Sequence, residues 1–170
     1  MSTAAGPSKA AILCTSCGAC CNGTLFDEVP LERHEIALGA RLSLPIVPCG
    51  DEAAMPLPCP RLDGASCTVY ADRPSTCRTY RCGLLEALEA DQVELDDALA
   101  RVSALRDAST RVRALLPAAT ATMPVFRAVD RVAAALGGRR AAAFVEGEAA
   151  LVAATEDLGR AMRGVTRPAG

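Results

Sequence analysis

The chain has 170 residues and a formal net charge of −2 at pH 7, enough for one ordinary domain with a hydrophobic core. With a sequence pI near 5.5 it carries no global basic field to draw it onto nucleic acid or anionic lipid, so neither partner is expected. Alanine accounts for 34 residues and aromatics for only five, so packing must lean on Leu, Val and any bound metal.

The N-terminal stretch 1–11 reads as a disordered tail. Met1 to Leu13 hold one Lys9 and no long apolar run, which is neither a secretory h-region nor a membrane span. No later run reaches the length of a span. The expectation is a cytoplasmic, reducing setting, where clustered thiols serve metals or redox chemistry more often than structural disulfides.

Residues 12–83 form a cysteine-cluster region. Prolines at 30, 45, 48, 56, 58, 60 and 74 forbid long regular elements over most of it. One short helix is predicted over Leu31 to Leu42, with Pro30 at its start and Leu31, Glu35, Ile36 and Leu38 suiting it.

Residues 84–163 read as three or four helices without a cysteine. A short one is predicted over Leu84 to Ala90. A longer one runs from about Leu95 to Leu116, with Asp96 and Asp97 near its positive end and Pro117 after it. Leu95, Leu99, Val102 and Leu105 or Arg106 recur at the spacing of one buried stripe. A third helix begins near Pro124 and ends at Gly137 and Gly138. The last, roughly Arg140 to Arg163, carries Phe144, Val145, Leu151, Val152, Thr155, Leu158 and Met162 in a near-heptad pattern. That stripe reads first as the core of a helical hairpin and second as a surface for an unknown protein partner. Residues 164–170 read as a second disordered tail. The fold class expected is mainly α, an irregular loop-rich half followed by three or four helices.

Chemistry concentrates in the cysteines. Cys14-Thr-Ser-Cys17-Gly-Ala-Cys20-Cys21 sets four thiols within eight residues. A two-residue gap lets a tight turn aim a thiolate pair at one ion, and Gly18 allows the left-handed backbone such a turn needs. Cys20 and Cys21 are adjacent, so their side chains diverge and suit two centres better than one. The second cluster runs Cys59, Cys67, Cys77, Cys82, with turns at Asp63-Gly64 and at Asp72-Arg73-Pro74. Those turns return Cys59 to Cys67 and Cys77 to Cys82, giving a second block of four.

These two stretches resemble the CxxCxxCC zinc- or iron-chelating family, the YkgJ-type cysteine-cluster proteins. The likeness rests on Cys14 to Cys21 and on Cys59 to Cys82, with its Cys-Pro start, Asp-Gly-x-x-Cys turn, Val-Tyr-x-Asp-Arg-Pro segment and Cys-Arg-x-Tyr-x-Cys close. It implies that Cys14, Cys17, Cys20, Cys21, Cys59, Cys67, Cys77 and Cys82 form the metal site. Cys49 falls outside it. A more distant similarity to flagellin lysine methylases implies an iron-sulfur option and a role in protein modification, although no S-adenosylmethionine signature is present.

Zinc and iron fit the spacing equally. Two four-cysteine zinc sites use all eight residues. Cys14, Cys17, Cys20 and a remote Cys59-Pro60 resemble a ferredoxin's arrangement for a 4Fe-4S cluster, with electron transfer or redox catalysis as its consequence. Arg61, Arg73, Arg78 and Arg81 stand among the cysteines, either as surface charge or within reach of sulfur. No Walker loop, GxGxxG, HExxH or GxSxG occurs, so catalytic residues are not assigned. The sole histidine, His34, reads as surface, and Glu32 and Glu35 as solvated helix charges.

Overall fold

The computed structural model describes residues 6–49, 52–137 and 145–166. It is mainly α, with seven α-helices among the described residues. Helix α1 (Lys9–Cys17) begins inside the stretch expected to be an unstructured tail. Ser8 caps it by accepting from the Ala11 N–H at 3.2 Å, satisfying one of the free amides of a first turn.

The proline-rich segment that follows is more regular than its composition implies. Strands β1 (Glu28–Leu31), β2 (Val47–Cys49) and β3 (Glu52–Pro56) form an antiparallel sheet in the order β1-β3-β2. Val29 stands opposite Met55, and Val47 opposite Ala54. Pro30 and Pro48 both lie on edge strands, where a missing N–H interrupts no inner ladder, while the central strand has proline only at its end. The helix expected over Leu31 to Leu42 is shorter for the same reason. Pro30 and Leu31 belong to β1, a 3₁₀ turn covers Arg33–Glu35, and α2 is only Ile36–Arg41. A hairpin of β4 (Leu62–Asp63) and β5 (Ser66–Cys67) turns at Asp63-Gly64, as expected. A 3₁₀ turn (Tyr70–Asp72) and α3 (Ser75–Thr79) complete the region.

The remaining helices follow the sequence pattern closely: α4 (Gly83–Glu89), α5 (Leu95–Leu115), α6 (Val125–Gly137) and α7 (Val145–Thr166). The start expected for the last helix, near Arg140, lies outside the described residues, and α7 continues to Thr166. On α5 the buried stripe is Ala98, Val102, Leu105, Ala108, Ser109 and Val112, one step round from the larger residues Leu95 and Leu99. It packs against α7, whose Leu151, Ala154, Leu158 and Val165 are buried. Val152, counted in the predicted stripe, is 53% exposed.

Two cores result. The helical one joins α4 to α7 and also takes in Leu13 and Ala19, so α1 packs with helices distant in sequence. The smaller one lies under the sheet and contains Val29, Leu31, Leu44, Ala53, Met55 and Leu57. The division between residues 83 and 84 is therefore one of composition, not of packing. No helix among the described residues is long and apolar enough to cross a membrane.

Candidate metal centre

Cys14 and Cys17 occupy the last turn of α1, three positions apart, which sets them on one face. The expected tight turn is thus the end of a helix. Gly18 closes it at φ 65°, its N–H reaching the Cys14 carbonyl at 3.2 Å. A Cβ at Gly18 would lie 3.0 Å from Ala65 Cα, so the helix end is seated directly on the β4–β5 hairpin. The Cys21 and Asn22 N–H groups return to the Gly18 carbonyl, each at 3.0 Å, and the Leu25 N–H to that of Ala19 at 3.1 Å. Gly23, at φ 76°, approaches Pro124, and its carbonyl accepts from the Val125 N–H at 2.8 Å, docking the start of α6 on this loop.

The second cysteine run is carried to the first by backbone bonds. The Cys59 N–H donates to the Cys21 carbonyl at 2.8 Å, and the Thr68 N–H to that of Arg61 at 2.8 Å, while Cys67 pairs with Leu62 across the hairpin. Cys77 sits on α3, which is held from two sides. Thr76 Oγ1 donates to the Pro30 carbonyl at 3.0 Å, and the Ser75 N–H donates to Glu35 Oε1. Glu35 also accepts from the Glu32 N–H at 3.1 Å. At 2% exposure it is a buried carboxylate, not the solvated helix charge its sequence position implies. Burial pushes the Glu35 carboxyl up, and the amides of Ser75 and Glu32 more than offset this, holding it below the ordinary value.

Cys82 lies on the helical side. Its sulfur caps α4, accepting from the Leu85 N–H at 3.4 Å, and it packs with Cys17 against the helical core. Cys59 and Cys77 pack instead against the sheet core. Electrostatics link the two sets through Cys20. Burial raises Cys14, with Cys20 and Cys82 adding to it, and raises Cys17 to about 11, with Cys20, Cys82 and Cys14 among its neighbours. Burial likewise raises Cys59, helped by Cys67, and Cys77 to about 11, helped by Cys59, Cys20 and Cys67. Cys20 is raised far more, first by its hydrogen bond with the adjacent Cys21 and then by burial. Cys20 stands beside cysteines of both sets, Cys14, Cys17 and Cys82 on one side and Cys77 on the other.

All eight of these cysteines are free, with Cys14 exposed and the others half-buried. Among the described residues no three Cys, His, Asp or Glu side chains converge into a finished ligand set. The donor chemistry nevertheless suits a thiophilic ion. Soft thiols gather along one seam, with backbone N–H groups of Ala19, Arg61, Leu84 and Leu85 directed at Cys17, Cys59 and Cys82, the pattern that stabilises sulfur once it is ionised.

The arginines divide. Arg61 Nε donates to the Leu42 carbonyl at 2.7 Å, and Arg81 pairs with Glu89. Arg73 stacks 3.6 Å over the Tyr70 ring while lowering Cys14, Cys20 and Cys77, so its charge bears on both groups of thiols. Arg78 is exposed. His34 is a surface residue, 3.2 Å from Glu32. Tyr80 packs edge-on to Phe26 at 5.0 Å, and burial, then Cys82, Cys20 and Cys17, push it up to about 12. Thr24 and Ser109, which carry no local signal in the sequence, meet through buried hydroxyls at 3.0 Å and tie this seam to α5.

A family model described as "CxxCxxCC: Putative zinc- or iron-chelating domain" matches residues 13–97, or 85 of the 170 residues. No curated protein and no solved structure matches the chain.

Proposed function

This chain belongs to the CxxCxxCC family, matched over half its length, and we propose from that premise that it holds zinc or iron through eight thiolates in two adjoining groups of four. One group is Cys14, Cys17, Cys20 and Cys82. The other is Cys21, Cys59, Cys67 and Cys77. The observation that carries this reading is the parting of neighbouring cysteines between two cores, Cys17 and Cys82 against the helices, Cys59 and Cys77 against the sheet. Adjacent Cys20 and Cys21, whose thiols hydrogen-bond to one another rather than diverging, then stand where the two groups meet, one contributed to each.

Four thiolates close a tetrahedral zinc site and leave no open position for hydrolysis; the same donors carry iron-sulfur chemistry when iron and sulfide are bound. Whichever is bound, the thiols must lose their protons first. Cys17 and Cys77, raised to about 11, are neutral near pH 7, so binding releases protons and strengthens with rising pH.

Metal and sulfide analysis with a visible spectrum, on anaerobically purified protein, tests the reading. About two colourless zinc ions per chain, or iron with sulfide and a band bleached by dithionite, agrees with it. Protein without metal, in which all eight thiols alkylate freely, sinks it. Double variants test the grouping. Cys14→Ser with Cys82→Ser should remove one centre and spare the other, whereas Cys59→Ser with Cys82→Ser should remove both. The reverse result would restore the grouping by sequence block.

A further inference from the structure

Beside Cys17, where the loop after α1 and the β4–β5 turn at Gly64 and Ala65 meet α5, lies a cleft of about 190 Å³. Asn22, Thr24, Ser109, Arg106 and Arg113 line it together with Cys17, and no carboxylate does. Its two guanidinium groups lack the partners arginines usually have. Arg113 is partly buried and donates only to backbone carbonyls, to Asn22 at 3.0 Å and Met123 at 3.3 Å. Arg106 donates to the Ser16 carbonyl at 2.8 Å. Neither forms an ion pair with Asp or Glu among the described residues. A guanidinium has five N–H donors, so both retain donors, and their positive charge at the cleft is balanced by dipoles alone. A second cleft of about 280 Å³ adjoins at Arg106 and Thr110; Asp107 lines that one.

We propose that the smaller cleft binds a small oxyanion, a carboxylate or a phosphate, between Arg106 and Arg113. Two arginines lining one cleft, Arg113 partly buried and Arg106 exposed, can meet the planar or tetrahedral oxygens of such a group with charge-assisted hydrogen bonds. Hydroxyl and amide groups of the lining serve the remaining oxygens. The volume admits a ligand of a few heavy atoms. This goes beyond the metal reading and rests on the two arginines, with Cys17 the one residue common to both sites.

The test is calorimetric titration of the full-length protein as purified, at low ionic strength, with inorganic phosphate and separately with malonate. Saturable one-to-one binding of either is expected, and which one binds identifies the source of the oxyanion. Arg106→Gln should weaken it roughly tenfold, the loss of one charge-assisted hydrogen bond, while Arg131→Gln, equal in charge change and outside the cleft, should leave it intact. Arg113→Gln should weaken it further, and if that variant fails to fold, the Arg106 result stands alone. Absence of saturable binding overturns the proposal, as do equal losses at Arg106 and Arg131. A third outcome also overturns it: Arg106→Gln lowering metal content without changing anion affinity would assign the arginines to the thiolate charge. Metal content is read in parallel, so failure of the centre and failure of the cleft are distinguished.

Discussion

The two cores differ in what holds them. Seventeen buried hydrophobic residues form the helical core among the described residues, against six under the sheet. At roughly 25 cal/mol per Å² of apolar surface buried, the first is the stronger by a wide margin. The sheet region, with strands of two to five residues, relies on point attachments: Glu35 to Ser75, Thr76 to Pro30, Cys59 to Cys21. Under the proposed ligation its cysteines become cross-links where packing is thin, so bound metal should matter to one region far more than to the other.

The largest effect should come from removing metal. Binding free energies of about 10 kcal/mol or more per structural zinc enter folding directly, so chelation under reducing conditions should strip hydrogen-exchange protection from residues 19–82 while α5 and α7 stay protected. Simultaneous loss in both regions would show that the two cores fold as one unit. A smaller effect is expected from Leu105→Ala, at a fully buried position. It should cost about 3 kcal/mol by urea denaturation with metal content unchanged. If that substitution released metal instead, the helices would be supporting the centre.

The smallest is Glu35→Gln, expected to cost about 1–2 kcal/mol by weakening the grip on α3. Because the folded-state pKa of Glu35 lies below its usual 4.5, its stabilisation is complete above that value and is lost as pH falls through the lowered one. Glu35→Gln should flatten the acid limb of the stability profile over that window. An unchanged acid limb would remove Glu35 as the anchor of α3.

The helical region was largely legible in the sequence because its signals are local. Asp96, Asp97 and Pro117 bracket α5, and Gly137 ends α6, within a residue or two of the expectation. In the cysteine region the signals are distant ones. Glu35 reads as a surface charge until Ser75, forty residues on, is folded over it. Cys82 packs with Cys17 on the helical core because α4 meets α1, which no spacing records. The sheet was missed because β3 is dominated by Ala53, Ala54 and Met55, which carry little strand signal alone. The turn at Gly18 was legible, since it required only the residue's own backbone freedom.

That glycine limits what mutation can do. Its positive φ and the 3.0 Å that would separate any Cβ there from the Ala65 backbone are independent obstacles to a side chain. Trimming Ala65 to glycine would remove one methyl group, yet the close-lying main chain and the left-handed conformation would remain. A change at Ala65 alone therefore leaves a side chain at residue 18 strained, and the helix end that carries Cys17 keeps its glycine.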